Sequence, residues 1–179
     1  MNDIQTSQAL RHTTSLARDD DFPARLTLAG VTLLLTLVHV GLAALWIGAM
    51  AYSLFVAQPA VARTQPDPVR AEEYYREFAT GNRWRVVAII AALAASGGGL
   101  VMVASGRSAT WWLLIGAKTA LLAVGAGIFW WVSWRGWPRR IFALPAEIPA
   151  EQARFRRVAL ALMAVVGLAF VLGVVAAHP

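Results

Sequence analysis

The chain has 179 residues, 58% of them hydrophobic, a mean hydropathy of +0.56 and a formal charge of +6 from 16 Lys and Arg against 10 Asp and Glu. That is too apolar for an ordinary soluble domain, and the apolar residues fall in four blocks, so the sequence predicts an all-α, four-helix integral membrane bundle whose first partner is the lipid bilayer. The lack of cysteine excludes disulfides, thiolate metal sites and iron–sulfur clusters, and the basic excess fits membrane-flanking loops, with no nucleic acid as partner.

Residues 1–25 are polar and mixed in charge, with Asp19-Asp20-Asp21 before Pro23, and read as a disordered or surface-lying tail that contains His12. The first apolar helix is expected over about 26–58, stopping before Pro59, and the four-span domain extends from there to residue 179. Segment 59–83 is broken by Pro59, Pro66 and Pro68. Its second half predicts a short amphipathic helix over 69–78, with Tyr74, Tyr75 and Phe78 at the interface and the charges in water. The second span, about 84–104, contains Gly97-Gly98-Gly99, a composition that lets neighbouring helix backbones approach closely in lipid. The third, about 110–134, has Trp111 and Trp112 at one end and Trp130, Trp131 and Trp134 at the other. Those tryptophans are spaced to sit at both interfaces. A basic loop follows, and the fourth span covers about 158–177.

Arginines at 63, 70, 76, 83 and 85 and at 135, 139, 140, 154, 156 and 157 fill the loops after the first and third spans, whereas the loop after the second holds only Arg107. The positive-inside rule then puts both basic loops in the cytoplasm and both termini outside.

No Asp or Glu lies within any of the four expected spans, so a carboxylate proton relay or carboxylate-bridged metal site has no support. Two ionisable groups do lie within them: His39 in the first and Lys118, the only lysine, in the third. With about 100° per residue, Trp46 and Met50 return to within roughly 20° of His39, so an imidazole, an indole and a thioether share one helix face. The predicted topology sets His39 and Lys118 at similar depth in the outer leaflet. Lys118 either snorkels toward Trp111 and Trp112 or faces the bundle. His39 either hydrogen-bonds a neighbouring helix, through Thr36 or a serine, or ligates a metal or haem. His178, at the outer end of the fourth span, is a further candidate metal ligand beside His39, and Trp46 a candidate wall for a flat cofactor. No HxH, HExxH or Met-rich tract is present.

The run Leu37 to Met50, with histidine followed seven residues later by Trp46-Ile47-Gly48, resembles the first helix of the copper resistance D (CopD)-like membrane proteins. The run Leu113 to Leu122, with Lys118 and then Arg135 beyond it, resembles their lysine-bearing helix. The resemblance spans about residues 30–178 and implies a bacterial inner-membrane protein that binds or moves copper. Through His39, Trp46, Tyr52 and Lys118 the sequence is also similar to the HemJ-type protoporphyrinogen oxidases, which implies haem b held or supported by His39 and Lys118. It lacks the arginine and histidine that those oxidases carry after the counterpart of Tyr52, and their tyrosine–histidine pair after the lysine. An accessory subunit of a larger membrane complex, or a homo-oligomer packing through its glycine- and alanine-rich faces, is the remaining expectation.

Overall fold

A computed structural model describes residues 2–79 and 81–177, the side chains of 2–25 and of Phe78 excepted. Every regular element among the described residues is helical. Four helical stretches are long and apolar enough to cross a membrane: Leu26–Thr64, Asn82–Val103, Ala109–Ile141 and Ile148–Ala177. Helix α1 runs Asn2–Tyr52, so the segment expected as a tail is continuous with the first span. Its continuation α2 is Gln58–Thr64, and α3 is the amphipathic helix Pro68–Ala79. The second span is α4, Asn82–Val103; the third is α5, Ala109–Trp131, continued by α6, Trp137–Ile141. The fourth, α7, Ile148–Ala177, begins about ten residues ahead of the expected start and takes in Arg154, Arg156 and Arg157 of the basic loop.

The first span runs past Pro59, where it was expected to stop, and the third runs past its expected end near 134 and past Pro138. Each does so through a five-residue π-helical turn, Ser53–Ala57 before Pro59 and Val132–Gly136 before Pro138. A proline ring clashes with the carbonyl four residues back and has no N–H to offer. Widening the ladder by one residue removes the clash: the Gln58 N–H bonds Ser53 O and the Trp137 N–H bonds Val132 O, five residues back. In this register Ser133 O would face the missing N–H of Pro138, and Arg83 Nη2 donates to it instead at 2.6 Å. Arg76 Nη2 likewise donates to Ile141 O at the end of α6, at 2.8 Å.

The bundle is two helical hairpins laid side by side, α1 against α4 and α5 against α7, joined chiefly by α1 on α7. The hairpins match in register. Their π turns, their prolines, and His39 and Lys118 all stand 79 positions apart. The core between them comprises Trp46, Val86, Leu93, Leu162 and Val166, with Leu122, Ile128 and Phe129 of α5 packed against it. Outward positions stay apolar and exposed, including Leu33, Leu34, Leu37 and Leu45 on α1 and Val171 on α7. A chain whose large aliphatics face outward along the full length of its spans is built for a solvent of lipid tails.

On α3 one charge, Glu72, departs from the amphipathic expectation, while Arg70, Glu73 and Glu77 are exposed. Ala71 and Glu72 are buried at 5% and 2% exposure, while Tyr74 is 45% exposed. Glu72 turns inward because Arg140 meets it from the third span: Nε and Nη2 donate to its two carboxylate oxygens at 2.7 Å each, and Gln152 of α7 adds a third bond at 3.1 Å. A buried carboxylate so fully paired meets the desolvation cost that an isolated one could not.

Candidate functional site

His39 lies on the inner face of α1 and is 8% exposed. Its Nδ1 is 2.9 Å from Ser96 Oγ on α4, and its Nε2 is 3.1 Å from Lys118 Nζ on α5. The direction of these bonds follows from counting hydrogens. The single Ser96 hydroxyl hydrogen is used on its own helix, donated to Ala92 O at 2.7 Å with Leu93 O at 3.3 Å. With that hydrogen on Ala92 O, the shortest of the three contacts, Ser96 Oγ accepts from His39 and Nδ1 carries the hydrogen. That leaves Nε2 to face the lysine amine, and a contact of this length needs a lone pair on one of the two nitrogens.

The space for this arrangement is made by two glycines. A methyl group placed on Gly97 of α4 would stand 3.0 Å from His39 Cε1, and one on Gly173 of α7 would stand 2.7 Å from Lys118 Nζ. The site is thus assembled from all four spans: an imidazole from α1, its hydrogen-bond acceptor and a glycine wall from α4, an amine from α5 and a second glycine wall from α7. Gly99 serves packing alone, facing Leu35 at 3.2 Å, and Gly98 faces open space.

Lys118 meets His39 rather than extending toward Trp111 and Trp112, and it is a serine, not Thr36, that partners the imidazole; the Thr36 hydroxyl donates to Thr32 O within α1. Trp46 is 3% exposed and belongs to the core, two helical turns, or about 10 Å, from the imidazole. Met50 packs on the same core, and Met102 is 87% exposed. His178 and His12 lie outside the residues whose side chains are described. Among the described residues no cluster of three or more His, Cys, Asp or Glu side chains is present.

Sequence reasoning missed the anchored Arg140, the π turns and the role of Gly173. One signal was readable: Pro59 follows His39, and Pro138 follows Lys118, by the same 20 positions. That spacing marks the two polar residues as counterparts in a repeated helix.

Comparison with protein-family models, with curated proteins and with solved structures finds no match to this chain. Function must be argued from the site itself.

A metal-binding histidine ordinarily donates its second ring N–H to a nearby acceptor, which fixes the tautomer and the ring plane. Ser96 does this for His39. Two nitrogens bound to one ion at about 2.0–2.1 Å each stand roughly 3 Å apart when adjacent, close to the 3.1 Å between Nε2 and Nζ. That length is also an ordinary hydrogen-bond length, and these two nitrogens are the donors the pair could offer an ion.

Proposed function

We propose that the chain is an inner-membrane protein of the CopD-like type that binds and passes on a copper ion at the His39–Lys118 pair, with its arginine-rich helix ends in the cytoplasm and both termini outside. The observation that carries this reading is the convergence of two nitrogen donors in the bundle interior, one of them a histidine whose other nitrogen is already tied down. Copper is the divalent first-row ion that nitrogen sites hold most tightly. A site with two protein donors suits an ion in transit better than one stored for good, since passage needs binding weak enough to release. Lys118 must give up its hydrogen bond, and a proton if it is an ammonium, before its nitrogen can ligate. Loading then releases protons and strengthens as pH rises.

Haem b is the second reading, since an iron on Nε2 would displace Lys118 Nζ just as a copper ion there would. One experiment separates the readings. Metal-free protein in detergent is titrated with Cu²⁺ and followed by metal analysis and electron paramagnetic resonance. One copper per chain with nitrogen coupling, abolished in His39→Ala and weakened at least tenfold in Lys118→Met, is the expected result. A Soret band in the purified protein that disappears in His39→Ala would replace copper with haem, and with it the porphyrinogen oxidase reading would gain ground. Copper binding that survives the double variant would remove the site.

A further inference from the structure

At the opposite end of the bundle from the glycine-walled site's nearer loop, where the first π turn, α2, α3, α6 and α7 meet, the structure contains a cavity of about 650 Å³. Its size falls within the range of small-molecule sites. Its walls are mixed: Leu54 and Ala57 of the first π turn and Phe155 of α7 give apolar surface, and Gln58, Asn82 and Gln152 give neutral polar groups. Its charged lining consists of Arg140 and Arg156, and no carboxylate lines it.

The two arginines differ. Arg140 is 9% exposed and fixed: Glu72 takes its Nε and Nη2, and Tyr75, Trp137 and Phe155 surround its guanidinium at 4.9–5.6 Å. Its Nη1 has no hydrogen-bond partner among the described residues, and Arg140 is one of the residues that line the cavity. Arg156 is exposed and has no carboxylate partner among the described residues. One cation is therefore neutralised but still offers a donor, and the other is unneutralised. The cavity stands at the end of the spans, beside Trp137, where the bilayer's headgroups begin.

We propose that this cavity binds an anionic phospholipid, its phosphate between Arg156 and Arg140 Nη1 and the start of its acyl chain against Leu54 and Phe155. Basic pockets between spans are the ordinary receptors for such heads. The absence of any acid in the lining gives a choline or ethanolamine head nothing to pair with, so the site selects against zwitterionic lipids. The proposal is independent of the copper reading, because none of its residues touches His39 or Lys118.

The test uses delipidated full-length protein in detergent, titrated with short-chain phosphatidylglycerol, short-chain phosphatidylcholine or inorganic phosphate, with the thermal unfolding midpoint as readout. A ligand that binds only the folded state raises that midpoint by mass action. Phosphatidylglycerol should raise it saturably and phosphatidylcholine should not. The apparent affinity should fall at least fivefold in Arg156→Gln, which leaves the Glu72–Arg140 pair intact, and at least tenfold in Ala153→Phe, which fills the cavity mouth without a change of charge. Equal shifts with both lipids, or wild-type phosphatidylglycerol affinity in both variants, would overturn the proposal. A shift of the same size with inorganic phosphate at equal concentration would assign the site to a free anion and refute the lipid.

Discussion

Gly173→Ala separates the working of the intramembrane site from the stability of the fold. The added methyl carbon would stand 2.7 Å from Lys118 Nζ, 3.3 Å from Cε and 3.6 Å from Cδ. Comfortable contact needs about 3.5 Å or more, so the amine must retreat by roughly 0.8 Å. It cannot retreat onto the imidazole, which already stands at 3.1 Å and is backed by Gly97. It must swing sideways, and that breaks the bond to Nε2. The atom that moves is the free end of a flexible side chain, so the backbone of α7 is not disturbed. The stability cost is that of one hydrogen bond, about 0.5–1.5 kcal/mol. Replacing glycine by alanine within a helix returns about 1 kcal/mol, so the two nearly cancel.

The expected outcome is a protein that unfolds within about 1 kcal/mol of wild type yet has lost the Lys118–His39 contact and at least tenfold in copper affinity. Chemical unfolding in mixed micelles measures the first, nitrogen NMR of the His39 ring the second and copper titration the third. Gly167→Ala, on the same helix with nothing within 4 Å of the added carbon, is the control and should leave all three unchanged or slightly raise stability. If Gly173→Ala keeps the wild-type Nε2 resonance and copper affinity, the amine does not stand where the structure places it, and the two-nitrogen site fails.

Four further outcomes follow from the same geometry. Gly97→Ala should cost more than Gly98→Ala by about 1–3 kcal/mol in unfolding experiments, because the Gly97 methyl meets the rigid His39 ring at 3.0 Å while Gly98 faces open space. Glu72→Ala should destabilise by about 3–5 kcal/mol, since it strands a buried guanidinium, and adding Arg140→Met should restore much of that loss. Burial, with a smaller push from Glu72 against the opposing pull of Arg140, holds the Tyr75 phenol above its ordinary range; its share of stability is complete below about pH 10 and lost as pH climbs through the raised folded value. Tyr75→Phe should therefore flatten the alkaline fall in unfolding free energy and remove the latest phase of phenolate absorbance. Arg83→Ala should cost about 1.5–3 kcal/mol by leaving Ser133 O without its charged donor, and the penalty should shrink in Pro138→Ala, where a backbone N–H is again available.

The face carrying His39 and Trp46 was legible in the sequence because both clues are local: a 3.6-residue period and the cost of an ionisable group in lipid. Lys118 was legible for the second reason alone. Which way it points depends on Gly173, 55 residues further along on a different helix, and no local pattern reports that one residue's missing side chain is another's cavity. The helix ends show the same division. Proline reads as a stop when only the local ladder is considered; here each proline follows a π turn, and distant arginines supply donors to carbonyls at the ends of the third span. The arginines at 76, 83 and 140, which loop counting assigns to topology, also act as ligands for those carbonyls and for a buried carboxylate. A charge count can orient a helix in a bilayer, but it cannot say which guanidinium is held inside the fold and which is left free. At the cavity lined by Arg140 and Arg156 that difference decides what can bind: the paired arginine gives the site its shape, and the unpaired one gives it its sign.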